Sequence, residues 1–109
     1  MTRPAIHPGE ILAEELTEIA VTPSELARQL CVPANRITQI LHGKRAITGD
    51  TALRLGHWFG TSAQFWLNLQ SAYDIRACQQ ILRLLQVHIW QDLLKRTKHQ
   101  SKGLYFLQY

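Results

Sequence analysis

The 109-residue chain is short of the features on which many functions depend. Its two cysteines, Cys31 and Cys78, lie outside any Cys-x-x-Cys pattern, which excludes a disulfide framework and leaves reduced, largely buried thiols as the expectation. No Gly-rich phosphate loop and no His-Glu-x-x-His pair occurs, His42 and His57 are too far apart in sequence to share a helical face, and Cys31 has no adjacent base motif. Catalysis, a cofactor and a bound metal are therefore not expected, and His7, His88 and His99 read as surface or capping residues. The longest charge-free run, residues 55–73, contains Gln, Asn, Ser, His and Gly and is too polar to span a bilayer. The opening MTRPAIHPGEILAEEL puts charges where a secretory signal needs an apolar centre, so a cytoplasmic protein without membrane contact is expected. Strand-like alternation, internal repeats and low-complexity linkers are also missing, which leaves an all-helical reading.

With 46% hydrophobic and 18% charged residues, the chain suits one globular domain with a modest core and an appendage. Its net charge of +4 is unevenly placed. Residues 1–74 carry six Lys/Arg against seven Asp/Glu, whereas residues 75–109 carry six against one. Basicity belongs to the tail, so any nucleic-acid footprint in the first part must be a local patch.

Leu12, Leu16 and Ile19 recur at helical spacing in EILAEELTEI, behind Pro8 and Gly9, with glutamates in the first turn where the helix dipole favours them. A short second helix follows: Thr22 is its N-cap, Pro23 its first residue, and Glu25 completes a capping box. Cys31 and Val32 make a tight connection to a third helix that begins at Pro33 and is closed by Gly43 in a left-handed conformation. Thr48 caps a fourth helix, with Asp50 in its first turn and Ala52, Leu55, Gly56 and Phe59 on one face, and Gly60 stops it. Ser62 caps a fifth, in which Phe65, Trp66, Leu69, Ala72 and Tyr73 form a wide apolar stripe that should supply much of the core. Beyond it, Ile75, Cys78, Leu82, Leu85 and Ile89 approach a heptad pattern. Two readings stand open there: a continued helix that self-associates, or a break near Asp74 and a smaller helix folded back. KRTKHQSKGLYFLQY lacks helical periodicity and should be loosely held.

Two short helices and a tight turn make a helix-turn-helix, residues 22–42, in which the second helix enters the major groove. Ala27 is small where the helices approach, and Leu26, Leu30, Val32, Ile37 and Ile40 fill the space beneath. In ANRITQILHGKR the spacing of Ile37, Ile40 and Leu41 turns Asn35, Thr38, Gln39 and His42 outward. Asn and Gln can pair bidentately with adenine, and Thr can bond either way or touch a thymine methyl. Lys44 and Arg45 follow the end of that helix, near a passing phosphate strand. Spacing alone leaves a competing reading, a packed bundle with a solvated polar face.

HPGEILAEEL, SELARQL and RITQILHGKRAITGDTALRLGHWFGTSAQFWLNLQSAYD together resemble the HigA (VapI-like) family of addiction-module antidotes, within the Xre/Cro helix-turn-helix group, from about His7 to Asp74. The resemblance implies a compact five-helix domain over residues 1–74, followed here by a basic helical extension and tail over 75–109. It also implies a homodimer, binding to double-stranded operator DNA in the protein's own promoter, and neutralisation of a HigB-like toxin of the RelE-like, messenger-RNA-cleaving type. The base-contacting residues would be Ala34, Asn35, Thr38, Gln39 and His42, and the phosphate-contacting residues Thr22, Ser24, Arg36, Lys44 and Arg45. Three departures stand out: Cys31 replaces the family's turn Gly and should shift the turn from a left-handed conformation, Pro23 replaces a Gln, and beyond Asp74 the pattern ends. A stand-alone regulator without a toxin, and a toxin-binding module without useful DNA affinity, are the alternatives. A neighbouring gene for a small basic protein would favour the antidote.

Overall fold

The computed structural model describes residues 4–85 and 91–96. Five helices follow in order: α1 (Pro8–Ile19), α2 (Pro23–Leu30), α3 (Ala34–Leu41), α4 (Gly49–Phe59) and α5 (Ala63–Leu84), and residues 91–96 are also helical. No strand occurs among the described residues, as an all-α chain requires. Ile89, His88, His99 and the end of the tail lie outside the described residues. The chain divides into two units, Met1–Arg76 and Ala77–Tyr109, with the boundary inside α5.

α1 starts two residues before the expected Glu10, because His7 caps it. His7 Nδ1 accepts the Gly9 N–H at 2.9 Å, and the Glu10 carboxylate accepts the His7 N–H at 3.1 Å, a reciprocal capping box. Ile19 is 45% exposed instead of joining Leu12 and Leu16 in the core, since the helix ends there and Ala20 turns left-handed. At α2, Thr22 Oγ1 accepts the Glu25 N–H at 3.1 Å, but only half of the expected capping box forms. The Glu25 carboxylate instead takes Arg28, a cation one turn along, and Gln29.

The turn between α2 and α3 corrects several expectations. Cys31 keeps the left-handed conformation, at φ 59° and ψ 44°, because the Val32 N–H reaches back to the Ala27 carbonyl at 3.0 Å and the Cys31 N–H to Arg28 at 3.2 Å. Its thiol is therefore carried outward, and both Cys31 and Cys78 are exposed rather than buried. Pro33 is the N-cap of α3 and not its first residue. At the far end Gly43 is left-handed as expected, and the Lys44 N–H bonds the Gln39 carbonyl at 2.8 Å. Thr48 occupies the cap of α4 without a side-chain hydrogen bond. Ser62 caps α5 by accepting the Phe65 N–H at 3.1 Å.

The core gathers Leu12 and Leu16 of α1, Leu26 and Leu30 of α2, Ile37 and Ile40 of α3, Ala52 and Leu55 of α4, and Trp66 of α5. A fully buried Ile or Leu contributes about 1.5–3 kcal/mol. The stripe on α5 is narrower than its sequence suggests: Trp66 is buried and Leu69 and Tyr73 are half-buried, but Phe65 is 43% exposed and Ala72 is exposed. α5 runs unbroken past Asp74 to Leu84, which removes the reading with a helix break there. Its distal residues Ile81, Leu82 and Leu84 are all exposed.

Candidate nucleic-acid interface

α3 is eight residues long, and its inward side is set by Ile37 and Ile40, both fully buried. That anchoring turns the opposite side outward. Ala34, Asn35 and His42 are exposed, and Thr38 and Gln39 are half-buried at the edge of the same face. The Thr38 hydroxyl sits 3.3 Å from the Ala34 and Asn35 carbonyls and donates within the helix, which leaves its oxygen able to accept from another partner.

The segment after α3 is pinned from two sides, which sequence reading missed. His7 is 7% exposed, meets Tyr73 edge-on at 4.8 Å, and hydrogen-bonds the Arg45 backbone. Burial pulls its pKa below the usual imidazole value, against the smaller opposing influence of Glu10, Asp74 and the Arg45 bond. On the other side, the buried Ile47 N–H donates to Gln70 Oε1 at 2.8 Å, and Gln70 Nε2 donates to Asp74 at 2.9 Å. Lys44 and Arg45 thus stand exposed on a loop whose ends are fixed, beside the C-terminus of α3. The His7–Glu10 stretch does carry a local capping signal, although the helix was expected to start at Glu10; the Gln70 contact spans 23 residues and leaves no local signal.

Thr22 and Ser24 are exposed at the start of α2, the helix that packs against α3. Arg36, the remaining expected phosphate contact, is placed differently: its guanidinium bonds Asp50 Oδ2 of α4 at 2.6 Å, with 28% of its side chain exposed. Asp50 also holds Arg54 Nε at 3.1 Å, and the two arginines keep its carboxyl below the usual carboxylate range. Among the described residues, no group of three His, Cys, Asp or Glu side chains is arranged to hold a metal ion. No described helix is long and apolar enough to cross a membrane.

Virulence-associated protein I of Dichelobacter nodosus is 51% identical over 78 residues, covering 71% of this chain and 72% of that protein. The solved HigA-family addiction-module antidote of Coxiella burnetii matches with 44% identity and a TM-score of 0.69, over 92% of this chain and 94% of that one. The chain belongs to the HigA family of helix-turn-helix antidotes. Antitoxin HigA of Pseudomonas aeruginosa, solved with the higBA promoter, is also 44% identical, with a TM-score of 0.67 over 76% of this chain and 97% of that one. No protein-family model matches. The likeness to the Coxiella protein runs past Asp74, where the sequence pattern was expected to end.

Proposed function

We propose that this HigA-family chain is a DNA-binding antitoxin that recognises an operator in its own promoter, represses that promoter, and neutralises a HigB-like, RelE-type messenger-RNA-cleaving toxin in the cytoplasm. The observation that carries the DNA reading is the outward polar face of α3, held by buried Ile37 and Ile40 in a fold shared with an antitoxin solved on promoter DNA. Ala34, Asn35, Thr38, Gln39 and His42 meet base edges. Asn35 and Gln39 offer paired donor and acceptor atoms, suited to adenine, while Thr38 offers its methyl to thymine or its oxygen to an exocyclic amine. Lys44 and Arg45, with the hydroxyls of Thr22 and Ser24, hold phosphates on either side. A helix of eight residues covers few bases, so two copies bind an inverted repeat.

The toxin contact lies away from the reading face. Glu14, Glu15 and Glu18 are exposed along α1 and suit a basic partner. Mobility shift with the chain's own promoter fragment, in the presence of excess random DNA, tests the first half of the proposal. Coexpression with the adjacent reading frame, scored by growth and messenger-RNA integrity, tests the second. A retarded promoter band and rescued growth are expected. Equal competition by random DNA would overturn operator recognition, and unrescued growth would overturn toxin neutralisation.

A further inference from the structure

The reading helix has weak local support at the end that carries Ala34 and Asn35. Pro33 provides no side-chain cap, and the buried anchors Ile37 and Ile40 lie further along. What reaches this first turn from outside is Asp50. Its carboxylate accepts Arg36 Nη1 of α3 at 2.6 Å and Arg54 Nε of α4 at 3.1 and 3.2 Å. Arg54 Nη1 in turn donates to the carbonyl of Leu30, the last residue of α2, at 2.7 Å. One carboxylate therefore closes a bridge joining the end of α2, the start of α3 and the start of α4, the three elements that set how the helix-turn-helix presents its face. The Arg36 side chain is mostly covered in this bridge, whereas Arg28 on the neighbouring surface is 74% exposed.

We propose that Asp50 and Arg36 are positioning residues for sequence reading: the Asp50 bridge sets the pitch of α3, and Arg36 acts as a strut within it instead of a phosphate contact. This rests on the reading of α3 as the DNA-facing helix. Exposed ion pairs contribute little to global stability, so the effect belongs to orientation. A strut and a phosphate ligand differ in counterion release. Losing a phosphate contact lowers the slope of log K against log salt by about one, whereas losing a strut leaves the slope in place. They also differ in sign at Asp50. If Asp50 merely competed with phosphate for Arg36, neutralising it would strengthen binding to all DNA alike.

The full chain is first used to select a duplex from a randomised pool, and affinity is then measured for that duplex and a scrambled one of equal length across a salt series. Arg36→Gln and Asp50→Asn should each lower the selected-to-scrambled affinity ratio by about twofold to fivefold, the effect of an ion pair of this exposure. Arg36→Gln should keep the wild-type salt slope, and Asp50→Glu should restore the ratio. Thermal melts of each variant establish that it is folded at the assay temperature. An unchanged ratio in Asp50→Asn, or a slope reduced by about one in Arg36→Gln, would overturn the proposal. Gln39→Ala, measured alongside, keeps the two levels apart. If it retains the full ratio, the DNA-facing role of α3 fails; if it loses the ratio while Asp50→Asn does not, only the positioning proposal fails.

Discussion

Two side chains on neighbouring turns illustrate how single residues divide the work. Gln39 stands on the proposed reading face of α3 and Arg45 on the pinned loop beside it, both outside the core. Replacing Gln39 with Ala should cost about 1–3 kcal/mol at a selected duplex and relax preference at one base position, with random DNA hardly affected. Replacing Arg45 with Ala should weaken both kinds of DNA and lower the salt slope by about one. Fluorescence anisotropy over a salt series reads both effects, and equal losses on both DNAs for the Gln39 variant would displace that residue from the reading set. Cys31 carries a different kind of cost. An L side chain in the left-handed region is strained, and its exposed thiol gains nothing from packing. Cys31→Gly should therefore raise stability by about 0.5–1 kcal/mol in urea denaturation, strain relief outweighing the added freedom of the unfolded chain. The exposed Cys31 was not legible in the sequence, because hydrogen bonds from Cys31 and Val32 back into α2 hold the turn whatever residue occupies it.

At the scale of elements, α1 and α3 touch more closely than any side chain would allow. A Cβ on Gly9 would lie 1.9 Å from the Ile40 carbonyl oxygen, and α3 backbone cannot yield without moving its outward polar face. Gly9→Ala should cost about 1–3 kcal/mol in stability and reduce operator preference, checked by urea melts and anisotropy on the same sample. His7 couples the same elements to pH. Its folded pKa lies below the reference 6.5, so the unfolded chain binds the proton first. Its stabilising contribution is complete above pH 6.5 and declines as the pH falls through the lowered folded pKa. Urea melts at pH 7.5 and 5.5 should show a smaller acid loss in His7→Asn, which keeps a capping acceptor but does not titrate; an equal loss would remove His7 as the source. Helix identity and order were legible throughout, since apolar spacing and the caps at Thr22 and Ser62 are local. The Arg36–Asp50 and Ile47–Gln70 contacts were not, because partners 14 and 23 residues apart meet only once the helices pack.

For the whole molecule, the acidic excess of residues 1–74 means that DNA binding depends on where charges stand, not on their sum. A helix of two turns specifies few bases, so the proposed operator recognition calls for a dimer on an inverted repeat. The apolar residues left exposed along α5, including Ile75 and Leu82, were legible as a heptad-like pattern, but the continuity of the helix across Asp74 was not, because no cap or proline marks either outcome. Dimethyl sulfate footprinting of the full chain on its selected duplex tests the central claim most directly, since the reagent reports guanine N7 in the major groove and adenine N3 in the minor groove. The expected result is major-groove protection in two patches whose centres lie about 34 Å, one helical turn, or a multiple apart. Protection confined to the minor groove, or to a single isolated patch, would contradict it.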